Sequence, residues 1–325
     1  MFSIHKRAVG AALLGAVGVL GHGHVSNIVI NGESYQGYDP TTFPYKQDPP
    51  IVIGWATQQT DNGFIEPLDF GSPDIICHKS ATPAKGHATV AAGDQVLITW
   101  NTWPESHHGP VIDYLAFCGS DGCENVDKED LEFFKISEVG HVSGSNPGKW
   151  GSDLLVENNN SWLVEIPDNV RAGDYVLRHE IIALHTAGQT NGAQAYPQCI
   201  NLRITGSGNE RPQGVRGTEL YSSGDPGIRF DLYRSFSNYD IPGPDMISGA
   251  EPVKQSSPAA TATASATVGN GLGAEPTSGV GGGSGGGSSS GSGDNTTGNG
   301  GSRLSDAIQL ISIYISAFTT LKIML

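Results

Sequence analysis

Two histidines, His22 and His24, stand where an apolar leader ends, in Val-Leu-Gly-His-Gly-His-Val at positions 19–25. Removal of the leader after Gly21 would make His22 the first residue. A histidine there offers a metal two donors, its α-amino nitrogen and its imidazole, which no internal histidine can do. The leader has the grammar of a secretory signal: His5, Lys6 and Arg7, then an apolar run from Ala8 to Leu20, with the slim side chains Val19 and Gly21 next to the cut. It is too short and too Gly-rich to cross a bilayer as a stable helix. A cut after Gly23 would put His24 first but leaves the bulkier His22 beside the scissile bond, so Gly21 is the expected site.

Further donors follow β-type runs. In Trp103-Pro-Glu-Ser-His107-His108-Gly109-Pro110 the histidines emerge at a strand end, on a loop stiffened by two prolines, which makes His107 the candidate second ligand. The run from Arg178 through His179 and Glu180 ends on His185. Gln194 and Tyr196 lie two apart, a spacing that puts both on one face of an extended segment.

The elements that must position these groups read as strands. Val25–Ile30, Ala88–Val90, Gln95–Trp100, Val111–Phe117, Trp162–Ile166, Tyr175–Leu184 and Cys199–Thr205 are rich in Val, Ile and aromatics and are separated by Gly, Pro, Asn and Asp. Helical periodicity is weak and confined to Glu129–Ile136 and Leu154–Asn158. The pattern predicts an all-β, immunoglobulin- or fibronectin-like sandwich with long loops and short helices.

The chain has 325 residues and a formal net charge of −15, which disfavours nucleic acid and anionic membrane surfaces as partners. Four cysteines behind a secretory leader suggest two disulfides, for which three connectivities exist. Cys118-Gly-Ser-Asp-Gly-Cys123 can close a small loop on its two glycines, which leaves Cys77 with Cys199. No Cys-x-x-Cys pair supports zinc instead.

Residues 22–249 have the composition of one globular domain. Residues 250–303 become Ala/Thr/Ser-rich and then nearly pure Gly and Ser, a disordered linker whose ~50 residues would span roughly 40 Å. Residues 304–325 are an apolar tail. With small residues near Gly293–Asn295 and a polar spacer, they form the pattern of a glycosylphosphatidylinositol (GPI) attachment signal, so lipid anchorage at the cell surface or wall is expected after secretion. Asn159-Asn160-Ser161 is a glycosylation acceptor pattern at Asn159.

Four segments together resemble the fungal cellulose-active lytic polysaccharide monooxygenases of auxiliary activity family nine. These are His22-Gly-His-Val-Ser-Asn-Ile-Val-Ile-Asn-Gly, His107-His-Gly-Pro-Val, His179-Glu-Ile-Ile-Ala-Leu-His185 and Gln194-Ala-Tyr-Pro-Gln-Cys-Ile-Asn-Leu. The resemblance runs from His22 to Pro244. It implies one copper ion in a histidine brace of the His22 amine and imidazole with the His107 imidazole, Tyr196 in the axial position, and His185 and Gln194 beside the oxygen species. Three in-plane nitrogens with open positions suit copper in both oxidation states. The same resemblance pairs Cys77 with Cys199. It leaves His24, His108 and His179 structural or exposed, because further ligands would close the site.

Tyr45 and Tyr233 resemble the family's sugar-stacking aromatics, with Tyr38 and Tyr239 as additional candidates. The implied reaction is oxidation at C1 or C4 of a β-1,4-glucan such as cellulose, with an external electron donor and dioxygen or hydrogen peroxide. Two other classes compete. One is a GPI-anchored copper-binding surface protein that does not cleave polysaccharide. The other is a glycoside hydrolase, for which no carboxylate pair lies in a recognisable motif.

Overall fold

The computed structural model describes residues 22–255, 261–266 and 268; the leader, the Gly/Ser tract and the apolar tail lie outside the described residues. Its strands in chain order begin β1 (Val25–Ile30), β2 (Glu33–Gln36), β3 (Ala88–Ala91), β4 (Gln95–Trp100), β5 (Val111–Phe117) and β6 (Glu132–Val139). A small hairpin follows, β7 (His141–Ser143) and β8 (Lys149–Trp150). Then come β9 (Ser161–Glu165), β10 (Gly173–Ala183), β11 (Gln194–Thr205), β12 (Val215–Arg216) and β13 (Ala264–Ser265). Two short helices interrupt them, α1 (Asp74–Cys77) and α2 (Gly151–Glu157).

One sheet has the order β13-β2-β1-β4-β9 and the other β12-β6-β5-β10-β11-β3. Neighbours run antiparallel except for β3 on β11 and β13 on β2. The sheets face each other as a sandwich.

The six-stranded sheet is buried on both faces. In β5, Val111 and Leu115 point between the sheets, whereas Ile112, Tyr114 and Ala116 point outward into a second core roofed by loop residues such as Trp55, Phe70, Leu220 and Tyr239. A strand covered on both sides has no reason to alternate apolar with polar. This accounts for one correction. Glu129–Ile136, expected as weakly helical, is a 3₁₀ turn at Lys128–Asp130 followed by β6. Phe133, Phe134, Lys135 and Ile136 are all buried, and that double-sided burial erases the two-residue period.

The charged and ring N–H groups between the sheets are paired. Trp100 Nε1 donates to His179 Nε2 (2.9 Å), so the His179 proton sits on Nδ1 and goes to Asp113 Oδ1 (2.7 Å). Asp113 Oδ2 accepts from Trp162 Nε1 (3.0 Å). This chain ties both sheets together at the centre of an apolar core. On the other face, Arg178 donates to the Ile75 and Ile76 carbonyls of α1, each at 2.8 Å, and forms a bidentate pair with Glu180. The Cys77–Cys199 disulfide joins the same helix to β11, and Cys118–Cys123 closes the short loop after β5.

Order continues past Gly249, where composition alone starts the linker. Val253 packs on the outward-facing Val29, Leu97 and Leu163 of the smaller sheet. Buried Gln255 accepts from Leu163 N and donates to Leu163 O, both at 3.0 Å, capping the free edge of β9. Farther on, β13 adds to β2 at the opposite edge. Single side chains in a Ser/Pro-rich stretch leave too little periodicity to be read as part of a domain.

Gln255→Ala removes three hydrogen bonds, to Leu163 N, Leu163 O and Val253 O, of about 1 kcal/mol each, and in a domain of this size the thermal midpoint should fall by roughly 6–12 °C. Calorimetry checks this, and an unchanged midpoint would show that the edge cap contributes nothing.

Candidate metal centre

The ladder between β1 and β4 sets Val25 opposite Trp100. His22–His24, which precede β1, therefore lie against the loop that leaves β4. That loop turns back on itself through His107 N donating to Pro104 O (3.0 Å) and Trp103 Nε1 donating to His107 O (3.1 Å). The result is a close pair of imidazoles, His22 Nε2 and His107 Nε2, 3.0 Å apart.

β10 and β11 bring the remaining groups to the same end. Their register sets Ala183 against Gln194 and Ile181 against Tyr196. His185, two residues beyond β10, stacks on His107 with centroids 3.9 Å apart and planes 33° apart. The fully buried Tyr196 ring lies 5.4 Å from His22 and edge-on to Trp103 at 5.0 Å, and its hydroxyl donates to Gln194 Oε1 (2.7 Å). All five residues picked out in the sequence, His22, His107, His185, Gln194 and Tyr196, thus meet in one place.

The electrostatics favour neutral donors. Burial pulls His107 down to about 3, reinforced by the neighbouring His185, His22 and His108. Burial likewise lowers His22 and His185. Burial raises the Tyr196 phenol far above its ordinary range, with Asp61 adding to the effect, so it stays a neutral hydroxyl. Unprotonated imidazoles offer lone pairs to a soft or borderline metal. His185 Nδ1 is buried with no partner, an orphan beside the pair. Among the described residues no group of three or more His, Cys, Asp or Glu side chains is arranged to hold a metal ion. A complete donor set would therefore need a group outside those side chains.

The other histidines are engaged elsewhere. His24 is buried, with Nδ1 on Asn62 Oδ1 (2.9 Å) and Nε2 3.9 Å from Asp39. His108 Nδ1 meets Asp153 Oδ1 (2.8 Å), facing an open cavity of about 560 Å³ beside the loop. His179 is spent in the sandwich core. Among the tyrosines, Tyr45 (75% exposed) and Tyr233 (50%) stand out from the surface. Tyr38 is half-buried against Phe43. Tyr239 is no surface aromatic: it is buried edge-on to Trp150, and its hydroxyl is bonded to Gly227 O (2.8 Å). The long loops form the second core as well as the surface, and sequence alone does not separate those roles.

Two wall residues escaped sequence reading. Trp103 was within sight, four residues before His107 in the same loop. Phe64, edge-on to His22 at 6.0 Å and 5.9 Å from Tyr196, had no local signal. Its loop is fixed by distant partners: Ile65 bridges Ala195, Asn62 holds His24, and His78 Nε2 donates to Gly63 O (3.0 Å).

Residues 22–240 match the family model of Auxiliary Activity family 9, formerly GH61. The chain belongs to auxiliary activity family 9. Among its relatives, AA9 family lytic polysaccharide monooxygenase D of Podospora anserina is 57% identical over 83% of this chain and 78% of that protein. AA9 family lytic polysaccharide monooxygenase cel61A of Hypocrea jecorina is 60% identical over 80% of this chain and 76% of that one. Of solved structures, the extended catalytic domain of H. jecorina LPMO9A superposes with a TM-score of 0.74 at 56% identity, covering 76% of this chain and 99% of that one. A cellulose-active polysaccharide monooxygenase from M. thermophila gives 0.61 at 30% identity, over 70% of this chain and all of the other. The sandwich and its loops are thus those of the AA9 family.

The Phe64 loop gives the AA9 domain a pH dependence. His78 Nδ1 accepts from Lys79 N, and burial drops the ring from 6.5 to about 3. Below pH 6.5 the unfolded chain takes up a proton that the folded chain refuses until about pH 3, so stability falls across that window. His78→Gly takes φ 84° and ψ 176° without strain and cannot titrate. It should flatten the stability-against-pH slope by one proton, about 1.4 kcal/mol per pH unit. Urea unfolding at pH 4, 5 and 7 compares the two proteins, and equal slopes would rule the effect out.

Proposed function

We propose that this AA9 chain is a secreted, copper-dependent lytic polysaccharide monooxygenase acting at C1, C4 or both of β-1,4-glucan chains, cellulose first among them. The meeting of His22 with His107 carries this reading. The family match begins at residue 22, as expected for a mature chain cut after Gly21. His24 is an unsuitable alternative terminus, because its ring is taken by Asn62 and its backbone N–H by Asn101.

The residues fit copper: two neutral imidazoles and, after processing, the His22 α-amine make an all-nitrogen set with no carboxylate competing for it. Copper held there supplies the redox chemistry by which an external electron donor and dioxygen or hydrogen peroxide oxidise the sugar carbon. Tyr196 walls off one side as a neutral phenol, its hydroxyl committed to Gln194. His185, stacked on His107 with Nδ1 unpartnered, offers a ring nitrogen that can hold or give a proton beside the reacting oxygen. Trp103 and Phe64 keep water away from the ring faces. Tyr45 and Tyr233 are the aromatics exposed enough to stack on the apolar faces of sugar rings. The tail carries the pattern for a lipid anchor, which would hold the enzyme at the cell surface or wall.

The decisive experiment is mass spectrometry of soluble products from cellulose. It uses protein with a verified His22 terminus, loaded with copper, with ascorbate and low peroxide. Oxidised cello-oligosaccharides should appear, reveal the carbon attacked, and vanish both without reductant and in His107→Ala. Tight copper binding with no oxidised product from cellulose or other β-glucans would favour an anchored copper-binding surface protein.

A further inference from the structure

We infer that Asn101 is a positioning residue that fixes the His22 α-amine for metal binding, acting through Gly23 and His24. The inference rests on the copper-brace reading above. At the end of the β1–β4 ladder Asn101 N donates to His24 O (3.0 Å), the last regular contact before the chain start. The next donor on the terminal segment, His24 N, bonds to a side chain instead of a strand carbonyl. Asn101 Oδ1 accepts from it at 2.9 Å and also from Thr102 N at 3.0 Å. One amide oxygen thereby links the terminal segment to the first residues of the loop that carries His107.

Gly23 shows how closely that link sets the chain. A Cβ there would sit 2.1 Å from the Thr102 carbonyl oxygen and 2.5 Å from Asn101 Oδ1. Only a glycine backbone can lie against that wall, so the position of Asn101 sets the position of Gly23. The His22 amine is one residue farther. His24 is held independently through its ring by Asn62, so loss of Asn101 frees the terminal dipeptide without releasing the whole segment. A chain end without backbone partners frays, and an amine that frays forfeits the advantage of a preformed chelate.

The test uses processed wild type, Asn101→Ala, Asn101→Ser and Asn101→Asp, each with a verified His22 terminus. Copper affinity is measured by calorimetric titration, the Cu(II) environment by electron paramagnetic resonance, and folding by thermal midpoint. Serine is polar but too short to reach His24 N; aspartate keeps an oxygen at the same place. The alanine and serine variants should bind copper at least ~10-fold more weakly and show a changed or heterogeneous copper hyperfine pattern. Aspartate should restore both. The serine variant decides the matter if alanine folds poorly. Wild-type affinity and spectrum in a folded Asn101→Ala or Asn101→Ser protein would overturn the positioning role while leaving the brace intact. Failure of wild type itself to bind copper through nitrogen ligands would overturn the brace reading and this one with it.

Discussion

The antiparallel pairing of β1 with β4 is the constraint from which the site follows. It sets Val25 against Trp100, so residues preceding β1 must run beside residues following β4. The loop from Asn101 to Pro110 then leads into β5, whose first residue Val111 pairs with Ile181 near the end of β10. The β10–β11 hairpin returns at Gln194. The segment before β1, the β4–β5 loop and the β10–β11 hairpin end therefore share a corner of the sandwich, and each contributes a side chain to the candidate site. No loop has to reach far, and each functional residue lies within a few positions of a strand end, where the backbone is already fixed.

Much of this was legible because short runs rich in Val, Ile and aromatics, bounded by turn residues, stand out. Val25–Ile30, Gln95–Trp100 and Val111–Phe117 form strands with the boundaries expected from sequence. The loop histidine, the strand-end histidine and the Gln194/Tyr196 spacing could be found locally, since each sits inside or just outside such a run. Where the sequence misled, a distant partner decided the outcome. β6 is covered by one core on each side, which no local period records. Tyr239 is buried because Trp150 and Phe230 close over it from other parts of the chain. Phe64 reaches the site because its neighbour Ile65 bridges Ala195, more than a hundred positions away. The stretch after Gly249 is held by Val253 and Gln255 on the smaller sheet and by the β13 pairing with β2, in a composition otherwise typical of a tether.

Polar groups inside the sandwich divide into two kinds. The Asp113–His179–Trp100 chain and the Arg178–Glu180–Tyr221 cluster have their main donors and acceptors matched, as deep burial requires. They make the scaffold unique and inert. At the corner the balance changes: His22 Nε2 and His107 Nε2 have only each other as partners, at 3.0 Å, and a third imidazole keeps a buried nitrogen with no partner. Unsatisfied groups of this kind destabilise a fold unless a ligand completes them. Three imidazoles gathered beside Tyr196 and Gln194 at one end of the sandwich, one of them with a buried nitrogen unpartnered, are the structural reason to regard that corner as a candidate binding centre.

The neutrality of Tyr196 shapes what such a centre can do. A phenolate beside the histidines would be a strong anionic ligand and would claim the coordination position that a reacting molecule needs. Burial opposes that charge, Asp61 opposes it further, and the hydroxyl proton is directed to Gln194 instead. The ring is also held edge-on to Trp103, which itself bonds the His107 carbonyl. The phenol cannot swing away without disturbing the loop that carries the histidine. Tyr196 therefore acts as a fixed, uncharged wall, and its hydrogen bond couples the orientation of Gln194 to that of the wall. A group held between His22 and His107 would meet the Tyr196 ring on that side.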